Sequence, residues 1–170
     1  MPQLKEKTIN TEIKPKGFLE QQLSPVLFPK HFHETDKIDF RSISKKKFYI
    51  HHTIYGTDAA TATNYGVFWI APFDCTITEV REAHQTAGTD AGAVSLNIEK
   101  LTGTQALDAG VATLATAFNL KGTINVVNTG SLTTTLADLR LSRGDRLAMD
   151  DAGTLTAVAN VTVIIEIIIS

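Results

Sequence analysis

A single cysteine, Cys75, stands among the 170 residues, so the chain cannot close a disulfide on itself. Its neighbour Asp74 offers the thiol no positive charge, and Cys75 reads as a small buried side chain rather than a reactive one. Proline is missing after Pro72, and of twelve aromatics only Phe118 lies beyond Phe73. No apolar run approaches the roughly 20 residues that a membrane-spanning helix needs. The stretch Val161 to Ile169 has nine residues and contains Glu166, which makes it a strand and not an anchor. A net charge of -2 gives no general basis for binding nucleic acid or an anionic membrane. The N-terminus shows no charged-then-apolar leader, which predicts folding in a reducing cytosol. A phosphate-cradling glycine loop, a nucleophile elbow, paired-cysteine metal spacing and a His-Glu-x-x-His pattern are all missing, so the sequence names no catalytic residue and no cofactor.

What the chain does have is alternation. From Leu155 to Ile169 every odd position is apolar: Leu155, Ala157, Ala159, Val161, Val163, Ile165, Ile167 and Ile169. A strand sends alternate side chains to opposite faces, so this odd set lines a core. Arg146 to Asp150 alternates too, and Asp150 to Gly153 supplies turn chemistry, which predicts a terminal β-hairpin.

Residues 1 to 45 are a different kind of chain. Pro15, Pro25 and Pro29 exclude a long helix or a central strand, so the segment reads as an extended arm, with room for a helical turn or two from Phe18 to Leu23. Phe18, Leu23, Phe28, Phe32 and Phe40 make it too apolar for a free tail, and it is expected to lie on something. Charge divides at nearly the same place: residues 1 to 47 hold ten Lys/Arg against six Asp/Glu, whereas 48 to 170 hold six against twelve. The predicted organisation is an arm over 1–45 and a β domain over 46–170.

Within the second part, Phe48 to Tyr55, Tyr65 to Ile70 and Thr76 to Glu82 read as strands, with Gly56 to Asn64 a loop. Val94, Leu96 and Ile98 alternate with Ser95, Asn97 and Glu99, a half-buried strand. Val111 to Leu120 fits both a helix face and a strand, and its β neighbours favour strand. Leu132, Thr134 and Leu136 share one face while Leu139 and Leu141 fall in the opposite phase, which places a bulge or turn at Ala137-Asp138. Gly-Thr and Gly-Ser turns punctuate the whole region. Such spacing suits an antiparallel, jelly-roll-like β-sandwich.

Four small features invite functional readings. His31 and His33, two apart on an extended segment, point the same way and are candidate metal ligands; two ligands do not close a site, and solvated histidines on a proline-flanked arm are the simpler account. His51 and His52 point to opposite faces of a strand and cannot act together. Arg143-Gly144-Asp145 matches the tripeptide read by cell-adhesion receptors, yet a turn between strands asks for polar residues and glycine anyway. The cluster Lys45 to Lys47 is too small for a nucleic-acid groove.

Three blocks, in order, carry a resemblance: Ile98 to Gly110 with its E-K-L-T-G-T start, Phe118 to Thr123, and Leu141 to Met149 with x-G-D-R-L followed by G-T-L-T at 153 to 156. Together they resemble a β-sandwich module of tailed-phage virion proteins over about residues 66 to 169, leaving the arm unmatched. The resemblance implies a structural part of the particle, such as a head fibre or capsid decoration protein, often trimeric, and no catalytic residues. Its implied partners are sister copies and a major capsid or other virion protein reached through residues 1–45, and its implied location is the virion, assembled in the host cytoplasm. A second reading makes the module a receptor- or carbohydrate-binding part of a tail or fibre, with a host-surface glycan as partner. Sugar platforms are usually exposed aromatics, and after Phe73 only Phe118 is available, which favours the structural reading.

The even face of the terminal strand bears on oligomeric state. If the odd positions fill the subunit's own core, Ile164, Glu166 and Ile168 face outward, and two bare isoleucines there call for a cover. The expectation is a homotrimer with Ile164, Glu166 and Ile168 at its interface. Glu166 then needs a cationic or hydrogen-bonding partner, and Arg140, Arg143 and Arg146 are the nearest in sequence.

Overall fold

The computed structural model describes residues 46–169; the arm, with His31 and His33, lies outside the described residues. Ten strands follow one another: β1 Lys47–Ile54, β2 Val67–Ile70, β3 Cys75–Ala83, β4 Val94–Leu101, β5 Val111–Ala112, β6 Phe118–Asn119, β7 Asn128–Thr129, β8 Arg140–Leu141, β9 Arg146–Gly153 and β10 Val161–Ile169. They form two five-stranded antiparallel sheets. Sheet A runs β1-β10-β3-β7 with β8 also on β3, and sheet B runs β2-β9-β4-β5 with β6 also on β4.

The alternation holds where the strand is regular. Val161, Val163, Ile165 and Ile167 are buried, between Ile50 and Ile54 of β1 and Ile77 and Val80 of β3, and they meet Val94, Leu96, Ile98, Leu147 and Met149 from sheet B in one core. Removing each such side chain from water contributes about 1.5–3 kcal/mol. Leu155 is buried as well, but between it and Val161 the pattern breaks. Ala157 and Asn160 have φ of 67° and 51°, and Val158, not Ala157 or Ala159, is the buried residue of that segment.

The predicted terminal hairpin is absent. β9 pairs with β2 and β4 in sheet B, whereas β10 pairs with β1 and β3 in sheet A, so the two strands face each other across the core. Asp150 to Gly153 stays in the β9 ladder, with Gly153 opposite Val94. A Cβ on Gly153, at φ 92°, would sit 1.7 Å from the Ala93 carbonyl oxygen, so glycine serves here for close strand approach rather than for a turn. The crossing falls on 154–160 instead, because packed sheets stand about 10 Å apart and a tight turn cannot bridge them.

Val111 to Leu120 is neither one strand nor a helix: β5 and β6 each pair briefly with β4, and Leu114, Phe118 and Leu120 turn inward. The phase reversal at Ala137-Asp138 is a single helical turn, Leu136–Leu139. Lys100, almost buried, donates from Nζ to the carbonyls of Ala137 at 2.6 Å and Arg140 at 3.1 Å, satisfying acceptors that a one-turn helix leaves open. On the outer side of sheet B, Glu99 accepts the backbone N–H groups of Asp108 and Gly110, both at 3.0 Å, and Arg146 donates to the carbonyls of Gly103 and Gln105. These bonds fix the 102–110 connection to sheet B, and Glu99, Leu101 and Ala148 are all buried. Among the described residues no helix is long and apolar enough to cross a membrane.

Candidate functional site

The outer side of sheet A presents four cross-strand pairs between β1 and β10: Lys47 with Ile168, Tyr49 with Glu166, His51 with Ile164 and Thr53 with Thr162. β3 completes the face. Its pairing with β10 slips by one between Glu166 and Ile167, leaving Thr78 as the extra residue of a bulge. The bulge turns Thr78 toward Glu166, and its hydroxyl donates to Oε1 at 2.8 Å.

Glu166 is therefore an outward-facing carboxylate that is almost entirely out of water, at 6% exposure. Lys47 Nζ lies 2.9 Å from its Oε1, and the Tyr49 hydroxyl donates to its Oε2 at 3.0 Å. The hydrogen bond from Lys47, then that from Thr78, holds the carboxyl below its usual range against the opposing effect of burial. The hydrogen bond that each makes to Glu166 in turn raises the pKa of Lys47 and of Tyr49. None of the expected arginines is involved. Arg146 serves the far side of sheet B, Arg143 uses its backbone N–H on Asp74, and Arg140 opens β8 across from Thr76 with its side chain exposed. The partners came from β1, 117 and 119 residues away in sequence, because an antiparallel ladder makes distant residues neighbours.

Ile164 and Ile168 are both half-buried on this face. Ile164 pairs with His51 and Arg81, Ile168 with Lys47 and Thr76. Beside them Arg81 donates two hydrogen bonds to Glu79, at 2.5 and 2.8 Å. Tyr49 stays 60% exposed despite its anchored hydroxyl.

The other sequence candidates are placed plainly. His51 faces outward, while His52 turns toward sheet B and stacks on Phe68 at 5.1 Å between ring centroids; burial lowers its pKa. Cys75 is buried, and burial first, then Asp74, pushes its thiol up to about 11, far from a reactive thiolate. In the Arg-Gly-Asp turn, Asp145 Oδ2 accepts the Ser142 N–H, Gly144 N–H donates to Ala71, and Ala71 donates back to the Asp145 carbonyl. That carboxylate is committed to its own turn. Phe118, the aromatic considered for a sugar platform, is buried.

Two polar groups escaped the sequence reading. Glu82 and His84, both fully buried, meet at 2.7 Å through His84 Nδ1, and Asn128 donates to the other Glu82 oxygen at 2.9 Å. His84 Nε2 has no partner and no access to solvent, so this carboxylate–imidazole pair cannot activate a nucleophile from outside and instead ties β7 to β3. The spacing Glu-x-His, with both side chains on one strand face, was its visible signal. Asp150 is pushed up to about 6 by burial and by Asp108 and Glu99 beside it. Among the described residues no group of three or more His, Cys, Asp or Glu could hold a metal ion.

Two antiparallel sheets around one core, with a polar-stitched outer face and no constellation for chemistry among the described residues, define a β-sandwich-type scaffold. No protein-family model matches the sequence, and no curated protein matches it. Among solved structures the chain is similar to a chain in the capsid of Ralstonia phage GP4, with a TM-score of 0.58 at 11% identity over 75% of this chain and 86% of that one. It is also similar to a chain in the capsid asymmetric unit of cyanophage Pam1, with a TM-score of 0.47 at 15% identity over 74% and 84% of the two chains. The likeness to the first is one of fold.

Proposed function

We propose that this chain is a non-enzymatic structural protein of a phage virion, of the head-fibre or capsid-decoration kind, that joins its particle through residues 1–45 and acts as a homotrimer. The observation that carries the reading is the fold shared with a phage capsid chain over 86% of that chain's length. The ordered blocks that resemble a virion module support it from the sequence side. Trimerisation is supported by the outer face of sheet A, where Ile164 and Ile168 flank a Glu166 already matched with three donors. A carboxylate on an antiparallel sheet surface is ordinarily satisfied by water; one satisfied by its own chain can be covered without leaving a bare charge.

Deleting residues 1 to 44 tests the anchoring. The account expects a folded β domain that no longer enters particles when it replaces the full chain during infection. Undiminished incorporation would remove the arm from the attachment role. The glycan-binding reading would use Tyr55, exposed at 71%, as its platform, and a glycan array with the full chain separates the two.

A further inference from the structure

We propose that Tyr49 is the anchor by which a second copy of this chain docks on the outer face of sheet A, an inference that rests on the self-association read above. An aromatic ring on a sheet surface is ordinarily free to rotate. This one is held at both ends: Cβ is fixed by the β1 ladder, and the hydroxyl donates to Glu166 Oε2 at 3.0 Å. With its torsions already restrained, the ring loses little further freedom when a partner covers it, and 60% of the residue is still exposed to be covered. Tyrosines of this kind are enriched among the residues that dominate interface energetics.

Tyr49 is also centred. It stands directly across from Glu166, and Ile164 and Ile168 are its diagonal neighbours on β10, within reach of an aromatic side chain. The three apolar side chains form one patch around a carboxylate that needs no water.

The charges around the patch indicate the occupant. Lys47 is matched with Glu166 and Arg81 with Glu79, so the patch itself holds two cations and two carboxylates in formed pairs, while Arg140, exposed across from Thr76, adds one cation at the margin of the face. The balanced patch brings no like-charge excess at its centre against a copy of itself and offers little there to a strongly acidic or basic partner. Paired neighbours of opposite sign also let a copy exchange partners at the rim without stranding a charge.

The test uses the full 170-residue chain. Hydroxyl-radical footprinting read by mass spectrometry follows Tyr49 and Tyr55 across a concentration series, with Tyr55, 71% exposed just past the other end of β1, as the internal reference. The expected result is progressive protection of Tyr49 as concentration rises while Tyr55 keeps its reactivity. In parallel, sedimentation velocity compares the unmodified chain with Tyr49→Ala and Tyr49→Phe. Tyr49→Ala is expected to raise the midpoint concentration of association at least about tenfold, and Tyr49→Phe, which keeps the ring and loses the tether, by less. An unmodified chain that stays monomeric ends the self-association reading and this inference with it. A chain that associates while Tyr49→Ala associates equally well overturns the anchor alone. Protection of Tyr49 that is independent of concentration, or that appears only in whole particles, assigns the patch to another occupant and overturns the inference as well. Should Tyr49→Ala fail to fold, footprinting of the unmodified chain decides.

Discussion

Two carboxylates on opposite sides of the molecule move stability in opposite directions with pH. Glu166, held below its usual range by Lys47 and Thr78, stabilises the fold above the unfolded carboxyl pKa, and that contribution is lost as pH falls through its lowered value. Asp150 is raised from 3.8 to about 6, so its contribution is fully present below 3.8 and is lost as pH rises through 6. The full shift would be about 3 kcal/mol, and discounting for a partly exposed side chain leaves about 1 kcal/mol. Asp150→Asn should accordingly raise the denaturant midpoint at pH 7.5 and change it little at pH 4. An equal effect at both pH values would show that the ionised carboxylate costs the fold nothing. Glu82 and His84 make the complementary point about legibility. Their spacing is visible in sequence, but Asn128, which completes the group, lies 46 residues beyond Glu82 and reaches it only through the β3–β7 pairing.

At the scale of elements, strands were legible where period two ran through large side chains. β10 was read from Val161, Val163, Ile165 and Ile167, and β4 from Val94, Leu96 and Ile98. The pattern overreached across Thr156 to Asn160, where two alanines satisfy it on paper yet bury too little surface to hold a strand phase. A strand, a glycine and a second strand look alike in sequence whether they form a hairpin or cross between sheets. What separates the cases is pairing with β2, β4, β1 and β3, which is set by residues about 45 or more positions away. Gly153 is the residue on which the crossing turns. Gly153→Ala places a methyl group against the Ala93 carbonyl at a positive φ, and should cost about 2–4 kcal/mol by thermal or chemical unfolding. Gly92→Ala, which meets nothing within 4 Å, is the matched control and should be close to neutral. Equal melting temperatures for the two variants would contradict the close approach of β9 to β4.

At the scale of the whole molecule, the core is closed and its chemistry is quiet: the thiol is sealed, the carboxylate–imidazole pair is sealed, and the Arg-Gly-Asp turn is bound to itself. The outside of sheet A is left uncovered by the described residues: exposed Tyr49 stands there with half-buried Ile164 and Ile168 beside a carboxylate that its own chain has neutralised. Sequence pattern alone brought Ile164, Glu166 and Ile168 to one face. It could not supply Lys47, Tyr49 or Thr78, because nothing local encodes which strands flank β10. The account's central claim is that this face exists to be covered by copies of the same chain in building a virion part. Its most direct test is the mass of the full chain in solution by light scattering, beside a variant carrying Ile164→Lys and Ile168→Lys. The account predicts three times the 18.4 kDa chain mass for the unmodified protein, and a folded monomer for the variant. An unmodified chain that scatters as a monomer at micromolar concentration, or a variant that remains trimeric, would contradict it.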